Sequence, residues 1–159
     1  MKFRFLSVGA VALAALVVSA RATSAVTKED VMAERRVTES AKANAFFDRV
    51  FDESIDRSPL SQGYLGLKKD HDKWDDFSEA RELEDLDLTV KHLAELKSTI
   101  HYDWLDAQTQ MSYRLYAEEA DRTIEAWRWR DHAYVFNQME DSPHSSLPSF
   151  LINYHPVDN

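Results

Sequence analysis

Glycine is scarce in this chain, and its scarcity restricts the folds that the chain can adopt. Only three of the 159 residues are glycine, at Gly9, Gly63 and Gly66, and Gly9 lies in an N-terminal leader. Tight β-hairpins depend on turn residues such as glycine, so the chain has little material for a hairpin-rich sheet. The sequence therefore predicts an all-α fold.

Three amphipathic helices account for most of the predicted fold. The first begins at Thr27, where Thr27-Lys28-Glu29-Asp30 resembles a capping box, and runs to Ser58. The second runs from about Ser78 to Ile100, and the third begins after Asp106, a good N-cap residue. Apolar side chains recur at helical spacing along one face of each segment. They are Phe46, Phe47, Val50, Phe51 and Ile55, then Leu83, Leu86, Val90, Leu93, Leu96 and Ile100, then Tyr113, Tyr116, Ala117, Ala120, Ile124 and Trp127.

The remaining segments predict irregular structure. The connector from Pro59 to Ser78 is expected to be an ordered loop. Towards the C-terminus the helical period fails, and Pro143, Pro148 and Pro156 argue against a continuous helix. The Pro-containing C-terminal segment is therefore expected to be extended or broken, with at most one short helical turn around residues 150–153.

Three helices with aromatic faces can form a small core, but a domain of this size depends on nearly complete burial of those faces. The chain also ends just after a dense run of apolar, Pro, Asn and His residues, from Leu147 to Pro156. We therefore expect the chain to be an incomplete part of a larger helical protein.

Residues 1–25 have the pattern of a secretory signal peptide. Lys2 and Arg4 form a short basic start, and residues 5–20 carry no charge. Small residues follow at the cleavage spacing, in Ala20-Arg21-Ala22 or Thr23-Ser24-Ala25. The uncharged stretch is shorter than the roughly 20 residues of a spanning helix, so a membrane anchor is the less favoured alternative. We expect an exported, periplasmic protein with a helical mature region, residues 26–159.

The chain is acidic, with a formal net charge of −9, and cleavage of the leader would remove Lys2, Arg4 and Arg21. Nucleic acids and anionic membrane surfaces need a basic footprint, so we predict that the protein binds neither. The chain has no cysteine, so thiol chemistry is excluded, and its stability is expected to come from packing or from further protein.

Six histidines raise the question of a metal site. None belongs to a His-Glu-x-x-His pattern, which sets two imidazoles on one helical face with a general base between them. His92 and Glu95 could furnish two ligands, but two do not define a zinc site, so a solvated polar face is the favoured interpretation. His71 stands in an acidic tract without EF-hand spacing, and a solvated loop is favoured there. The sequence thus assigns no catalytic residue, no metal ligand and no cofactor to this chain.

A run of aromatic residues follows the third helix. These side chains could line a ligand groove, although aromatic residues at such spacing more often belong to a core, which is the favoured interpretation. They are Trp127, Trp129, Tyr134 and Phe136.

The C-terminal stretch is the candidate functional segment. Its polar residues stand among apolar ones, and polar groups need partners when they are buried. They either tie irregular backbone into a larger protein or line a substrate groove, and the structural role is favoured. The candidate residues are Asn137, Gln138, Met139, His144, Pro148, Phe150, Asn153 and His155.

The same stretch carries a family resemblance, in Asn137-Gln138-Met139 and in the run from Leu147 to Pro156. With these residues the chain resembles the N-terminal portion of the bacterial family known as domain of unknown function 885, DUF885. Weaker matches precede them at Ala45–Phe47 through Phe51–Glu53, Ser58-Pro59, Tyr64–Leu67, Asp72–Asp76 and Leu105–Tyr113.

The resemblance implies a function class. Members of DUF885 are similar to zinc metallopeptidases, are largely helical, are several times longer than this chain and are often exported. Their His-Glu-containing zinc motif lies far towards the C-terminus and matches no position here, so zinc is expected only in full-length relatives. The expected function is an exported N-terminal fragment of a metallopeptidase-related protein that is not catalytic by itself. Its partner would be the missing C-terminal portion of a parent protein, or a peptide or protein partner. The alternative is a stand-alone periplasmic helical binding or adaptor module.

Overall fold

The structure is a computed structural model, and it describes residues 27–132, 134, 136, 138 and 142–154. These residues form five α-helices and two short 3₁₀ helices, and no strand is found among them. The all-α prediction is therefore confirmed. The α-helices are α1 (Lys28–Asp56), α2 (Pro59–Tyr64), α3 (Glu79–Thr99), α4 (Ala107–Ala126) and α5 (Pro143–Asn153), and the 3₁₀ helices are Tyr102–Trp104 and Trp127–His132.

The three predicted helices begin where their N-cap residues predict. At α1 the Thr27 hydroxyl accepts the Asp30 N–H at 3.1 Å, and the Asp30 carboxylate accepts the Thr27 N–H at 2.9 Å, which completes a capping box. At α3 the Ser78 hydroxyl accepts a backbone N–H of the first turn at 3.3 Å. At α4 the Asp106 carboxylate does the same at 2.8 Å. Each cap satisfies a donor that has no partner inside its helix.

The connector after α1 begins with a short helix, α2, so the loop prediction is wrong for residues 59–64. Ser58 is the N-cap and accepts the N–H of Ser61 at 3.1 Å. Pro59 stands in the first turn, where a missing N–H removes no helical hydrogen bond. The rest of the connector, residues 65–78, consists of turns and coil, as predicted.

The C-terminal segment contains an 11-residue helix, α5, which includes the expected turn at residues 150–153, so the prediction of extended or broken structure is wrong for residues 143–149. Pro143 stands in the first turn, where proline is tolerated, but Pro148 lies inside the helix and cannot donate to the carbonyl of His144. Both Pro148 and His144 are exposed, so water can reach that carbonyl. Packing of Phe150 against α2 offsets the lost hydrogen bond.

The main core lies where α1, α3 and the start of α4 meet. Its buried side chains are Ala43, Phe46, Leu96, Ile100 and Leu105, with Phe47, Val50, Tyr102, Tyr113, Tyr116 and Ala117 packed around them. Edge-to-face contacts join Phe46 to Phe47 and to Tyr116, at 5.5 and 5.6 Å between ring centroids. Some predicted core positions are exposed instead, namely Phe51, Leu83 and Val90.

A second apolar layer joins α5 to α2 and the connector. The Phe150 ring lies 5.1 Å from that of Tyr64 and 5.9 Å from that of Trp74, and the Tyr154 ring lies 4.6 Å from that of Tyr64. Gly63 permits this approach, because a Cβ atom there would lie 2.8 Å from Phe150 Cζ. A larger residue at Gly63 would have to displace the Phe150 ring.

The N-terminal leader lies outside the described residues, so its prediction as a signal peptide, residues 1–25, stays a prediction. Within the described ranges no helix combines the length and the apolar character that crossing a membrane requires.

Candidate functional site

An apolar groove lies between α2, α5 and the end of the connector, and we call it the α2–α5 groove. Its volume is about 370 Å³, which falls in the range of pockets that hold small ligands. Its lining residues are Leu60, Tyr64, Phe77, Pro143, Ser146, Leu147 and Phe150. Aromatic and aliphatic side chains therefore form nearly all of its surface.

Apolar side chains on and beside the groove are open to solvent. Phe77 is 70% exposed, Leu147 is 42% exposed, and Ile152, farther along α5, is 79% exposed. Contiguous exposed apolar surface marks sites where a protein meets another molecule. The groove is therefore a candidate binding surface.

The connector forms one wall of the groove, and Asp75 holds that wall in position. Its carboxylate accepts the Ser58 hydroxyl at 2.7 Å and the Leu60 N–H at 2.9 Å. These bonds hold the connector against the first turn of α2, two residues before Phe77. The negative charge at this helix start also favours the arrangement.

A second hydrogen-bond network ties the connector to α2 from within. The Gln62 side chain is buried, and its amide donates to Ile55 O at 3.0 Å and to the Asp70 carboxylate at 3.2 Å. The Asp70 N–H donates back to Gln62 Oε1 at 3.2 Å. The Lys73 ammonium, 2.7 Å from Asp70, and the Gln62 amide hold the pKa of the Asp70 carboxyl below its ordinary value. Asp70 therefore stays ionised and keeps both partners.

The eight candidate residues of the C-terminal stretch take different positions. Phe150 is buried in the wall of the groove. The exposed positions are those of Gln138, His144, Pro148 and Asn153. Three more lie outside the described residues, namely Asn137, Met139 and His155. Of the described candidates Phe150 alone lines the groove, and the functional roles of the eight residues stay predictions.

The polar side chains of α5 make local contacts. Asn153 Nδ2 donates to Ser149 O at 2.9 Å, and His144 Nδ1 lies 2.9 Å from Ser142 Oγ. Ser142 is 1% exposed, so its hydroxyl is not accessible as a nucleophile. These contacts stabilise the two ends of α5.

A cleft of about 350 Å³ lies between α1, the start of α2, α3 and α4 and contains a buried histidine. His92 Nε2 is 3.1 Å from Glu53 Oε2, and we call this the Glu53–His92 cleft. Glu95, which the sequence offers as a possible second ligand, pairs with Arg49 at 2.7 Å. The solvated-face prediction is therefore wrong for His92. Sequence reasoning missed Glu53 because no local pattern relates residues on two different helices.

The other candidate metal position is His71, which is exposed, as the solvated-loop interpretation predicts. Its Nδ1 lies 2.9 Å from Lys68 O. Within the described part of the chain, no group of three or more His, Cys, Asp or Glu residues could hold a metal ion.

The aromatic residues after α4 are predicted to belong to the core, and most of them do not. Trp129, Tyr134 and Phe136 are exposed, and the Arg130 guanidinium lies 4.7 Å from the centre of the half-buried Trp127 ring. The 3₁₀ helix that begins at Trp127 has about three residues per turn, so the face of α4 does not continue through it.

Comparison with known proteins identifies the family. The model of a family of bacterial proteins of unknown function, DUF885, matches residues 59–159. No curated protein matches the chain, and no solved structure does either. The matched range holds α2, the connector, α3, α4 and α5, and with them the whole α2–α5 groove, while α1 precedes it. Because the match covers more than half of the sequence, this chain belongs to the DUF885 family.

Proposed function

We propose that this chain is the exported, non-catalytic helical part of a DUF885 protein, and that its α2–α5 groove binds a segment from the C-terminal part of such a protein. The observation that carries the proposal is the exposed apolar lining of the groove. Covering apolar surface gains about 25 cal/mol for each Å² removed from water, so the binding of an apolar segment in the groove is favourable.

Charge restricts what the occupant can be. Asp75 and Asp76 directly precede Phe77 at the edge of the groove, and the whole chain carries a net charge of −9. Like charges facing one another across an interface oppose binding. The occupant is therefore an apolar segment with neutral or basic flanks.

The non-catalytic part of the proposal rests on the available ligands. The family resemblance implies zinc held by a His-Glu-containing motif, and none of the six histidines of this chain is followed by glutamate. Buried His92 has one carboxylate at contact distance, Glu53, and two ligands do not make a zinc site. These residues do not fit zinc, so we assign no catalytic step to this chain.

The first step of the test examines export. The full chain is expressed with its own N-terminus in a bacterial host and purified from the periplasmic fraction. We expect an intact mass that lacks residues 1–25, because the leader has the basic start and small-residue cleavage spacing of a signal peptide. Recovery of only the uncleaved chain would contradict a cleaved signal peptide, and absence of the chain from the periplasmic fraction would contradict export.

The second step examines the groove. The mature chain is mixed with the purified C-terminal part of a DUF885 protein, and complex formation is measured by size-exclusion chromatography with light scattering. We expect a complex, and we expect Leu147→Asp to weaken it about tenfold or more, because a charge would enter the apolar contact.

Leu115→Asp is the matched control, because Leu115 is an exposed leucine on α4 that does not line the groove. It should leave the affinity unchanged. Absence of a complex, or an equal loss in both variants, would show that the groove is not the binding surface.

The second candidate function is a stand-alone binding or adaptor module. The volume of the groove favours this second candidate, because about 370 Å³ can hold a cluster of side chains from a short peptide without further protein. The stability of the isolated chain separates the two candidates, as argued in the Discussion.

A further inference from the structure

The Glu53–His92 cleft has the construction of a ligand site. Apolar side chains of Val50, Leu88 and Tyr116 form part of its lining. Charged or titratable groups from α1, its C-cap residue and α3 form another part, namely Glu53, Arg57, Asp85 and His92. Pockets that bind small molecules combine these two elements, an apolar surface and a few polar groups that orient the ligand.

Three of the hydroxyl groups that line the cleft donate hydrogen bonds within the protein. Ser54 donates to Phe51 O at 2.7 Å, and Thr89 donates to Asp85 O at 2.9 Å. Ser58 donates to Asp75, outside the cleft. A ligand would meet these hydroxyl groups as neutral acceptors, and the carboxylates are the charged acceptors of the lining.

The ion pairs in and around the cleft contain more acids than guanidinium groups. Arg49 lies 2.7 Å from Glu95 and 3.9 Å from Glu53. Arg57 lies 2.6 Å from Asp85 and 3.3 Å from Glu84, and Arg81 lies 3.3 Å from Asp85. Four carboxylates thus share three guanidinium groups. The four carboxylates carry one more negative charge than the three guanidinium groups carry positive charge.

Glu53 is the carboxylate with room for another partner. His92 and Arg49 both approach its Oε2 atom, while its Oε1 atom accepts no hydrogen bond from the described residues. Its side chain is 36% exposed, so a ligand can reach it. The Arg49 guanidinium is closer to Glu95 than to Glu53 and leaves the charge of Glu53 incompletely balanced.

The pKa of Tyr116 responds to burial and to the charged groups around the cleft. Burial raises the pKa of its hydroxyl, nearby Arg49 opposes the rise, and Glu53 and Glu95 add to it. Its ring lines the cleft, and aromatic rings attract positive charge. An anion would meet excess negative charge here, with the nearest guanidinium groups already paired.

We propose that the Glu53–His92 cleft binds a small organic cation, an ammonium or guanidinium group carried on an apolar body. The cation contacts Glu53 Oε1, and the apolar body lies against Val50, Leu88 and Tyr116. This site is distinct from the α2–α5 groove and does not depend on the function proposed for that groove.

The probe for the test is benzylamine, which is a benzylammonium ion at neutral pH. Two controls of similar size are benzyl alcohol, which is neutral, and benzoate, which is an anion. Each is titrated into the mature chain, and amide chemical shifts are followed by NMR. We expect benzylammonium to shift residues of α1, α3 and α4 that line the cleft, with an affinity at least about fivefold higher than either control.

Two variants locate the charge requirement. Glu53→Gln removes the contacting carboxylate, and Glu95→Gln frees Arg49 to neutralise Glu53 while leaving Glu53 in place. Each should weaken benzylammonium binding about fivefold. Asp87→Asn is the matched control on α3, because Asp87 pairs with Lys91 and does not line the cleft.

Equal binding of benzylammonium and benzyl alcohol would overturn the proposal, as would unchanged binding in both glutamate variants. Shifts confined to the α2–α5 groove would overturn it too, because they would place the ligand elsewhere. Glu95 is exposed, so Glu95→Gln remains informative even if Glu53→Gln fails to fold.

Discussion

At the scale of single residues, Gln62 determines how the connector meets α2. No turn motif or helical period singles out a glutamine in a glycine-containing segment, yet Gln62 is 1% exposed and bonded to Ile55 and Asp70. A buried polar side chain of this kind stabilises only while all of its partners are present. Its neighbour Gly63 leaves the space that Phe150 fills.

We predict that Gln62→Leu lowers the free energy of unfolding by about 1–3 kcal/mol. Leucine keeps the volume but leaves the Asp70 N–H and the Ile55 carbonyl without their side-chain partner. Urea denaturation followed by circular dichroism measures the change. Gln108→Leu, on the exposed side of α4, is the control and should change stability by less than about 0.5 kcal/mol. Equal stability of Gln62→Leu and the original chain would show that the network does not stabilise the fold.

At the scale of elements, α5 combines an unfavourable local sequence with favourable tertiary contacts. Pro148 removes one hydrogen bond from the middle of the helix, while Phe150 packs against Tyr64 and Trp74. The helix is therefore held by what it contacts more than by its own propensity. The opposite holds for α1, whose start is a capping box in the sequence itself.

We predict that Pro148→Ala stabilises α5 locally by about 1 kcal/mol or more, because it restores the N–H that can donate to His144 O on an exposed face. Amide hydrogen exchange should then show slower exchange in residues 144–153. Pro143→Ala is the control, since proline in the first turn removes no helical bond and its replacement should bring no comparable gain. A similar change in amide exchange in both variants would show that Pro148 does not specifically destabilise α5.

At the scale of the whole molecule, the chain buries few apolar side chains and exposes many. The described residues include eight buried apolar side chains, among them Phe46, Leu96 and Phe150, against twenty large apolar ones that are exposed. A domain of this size has little margin when so much apolar surface stays in water. Coverage by further protein, as proposed for the α2–α5 groove, would supply the missing burial.

We predict that the isolated mature chain unfolds with a midpoint below about 45 °C, under the usual range of small domains, and that it binds the apolar dye ANS. Calorimetry and dye fluorescence measure the two properties. The C-terminal part of a DUF885 protein should raise the midpoint, because a partner that binds only the folded state stabilises it by mass action. A sharp transition at higher temperature without dye binding would favour the stand-alone module.

The sequence by itself determined the helical class and the starts of α1, α3 and α4, because caps and apolar periods act within a few residues along the chain. Only the tertiary structure decided that α2 and α5 are helices, that His92 is buried beside Glu53, and that Phe150 lines a groove. Each of these outcomes depends on side chains brought together from distant parts of the chain. The contacts of these side chains outweigh local signals such as the Pro148 helix break. No period or spacing in the sequence predicts these contacts.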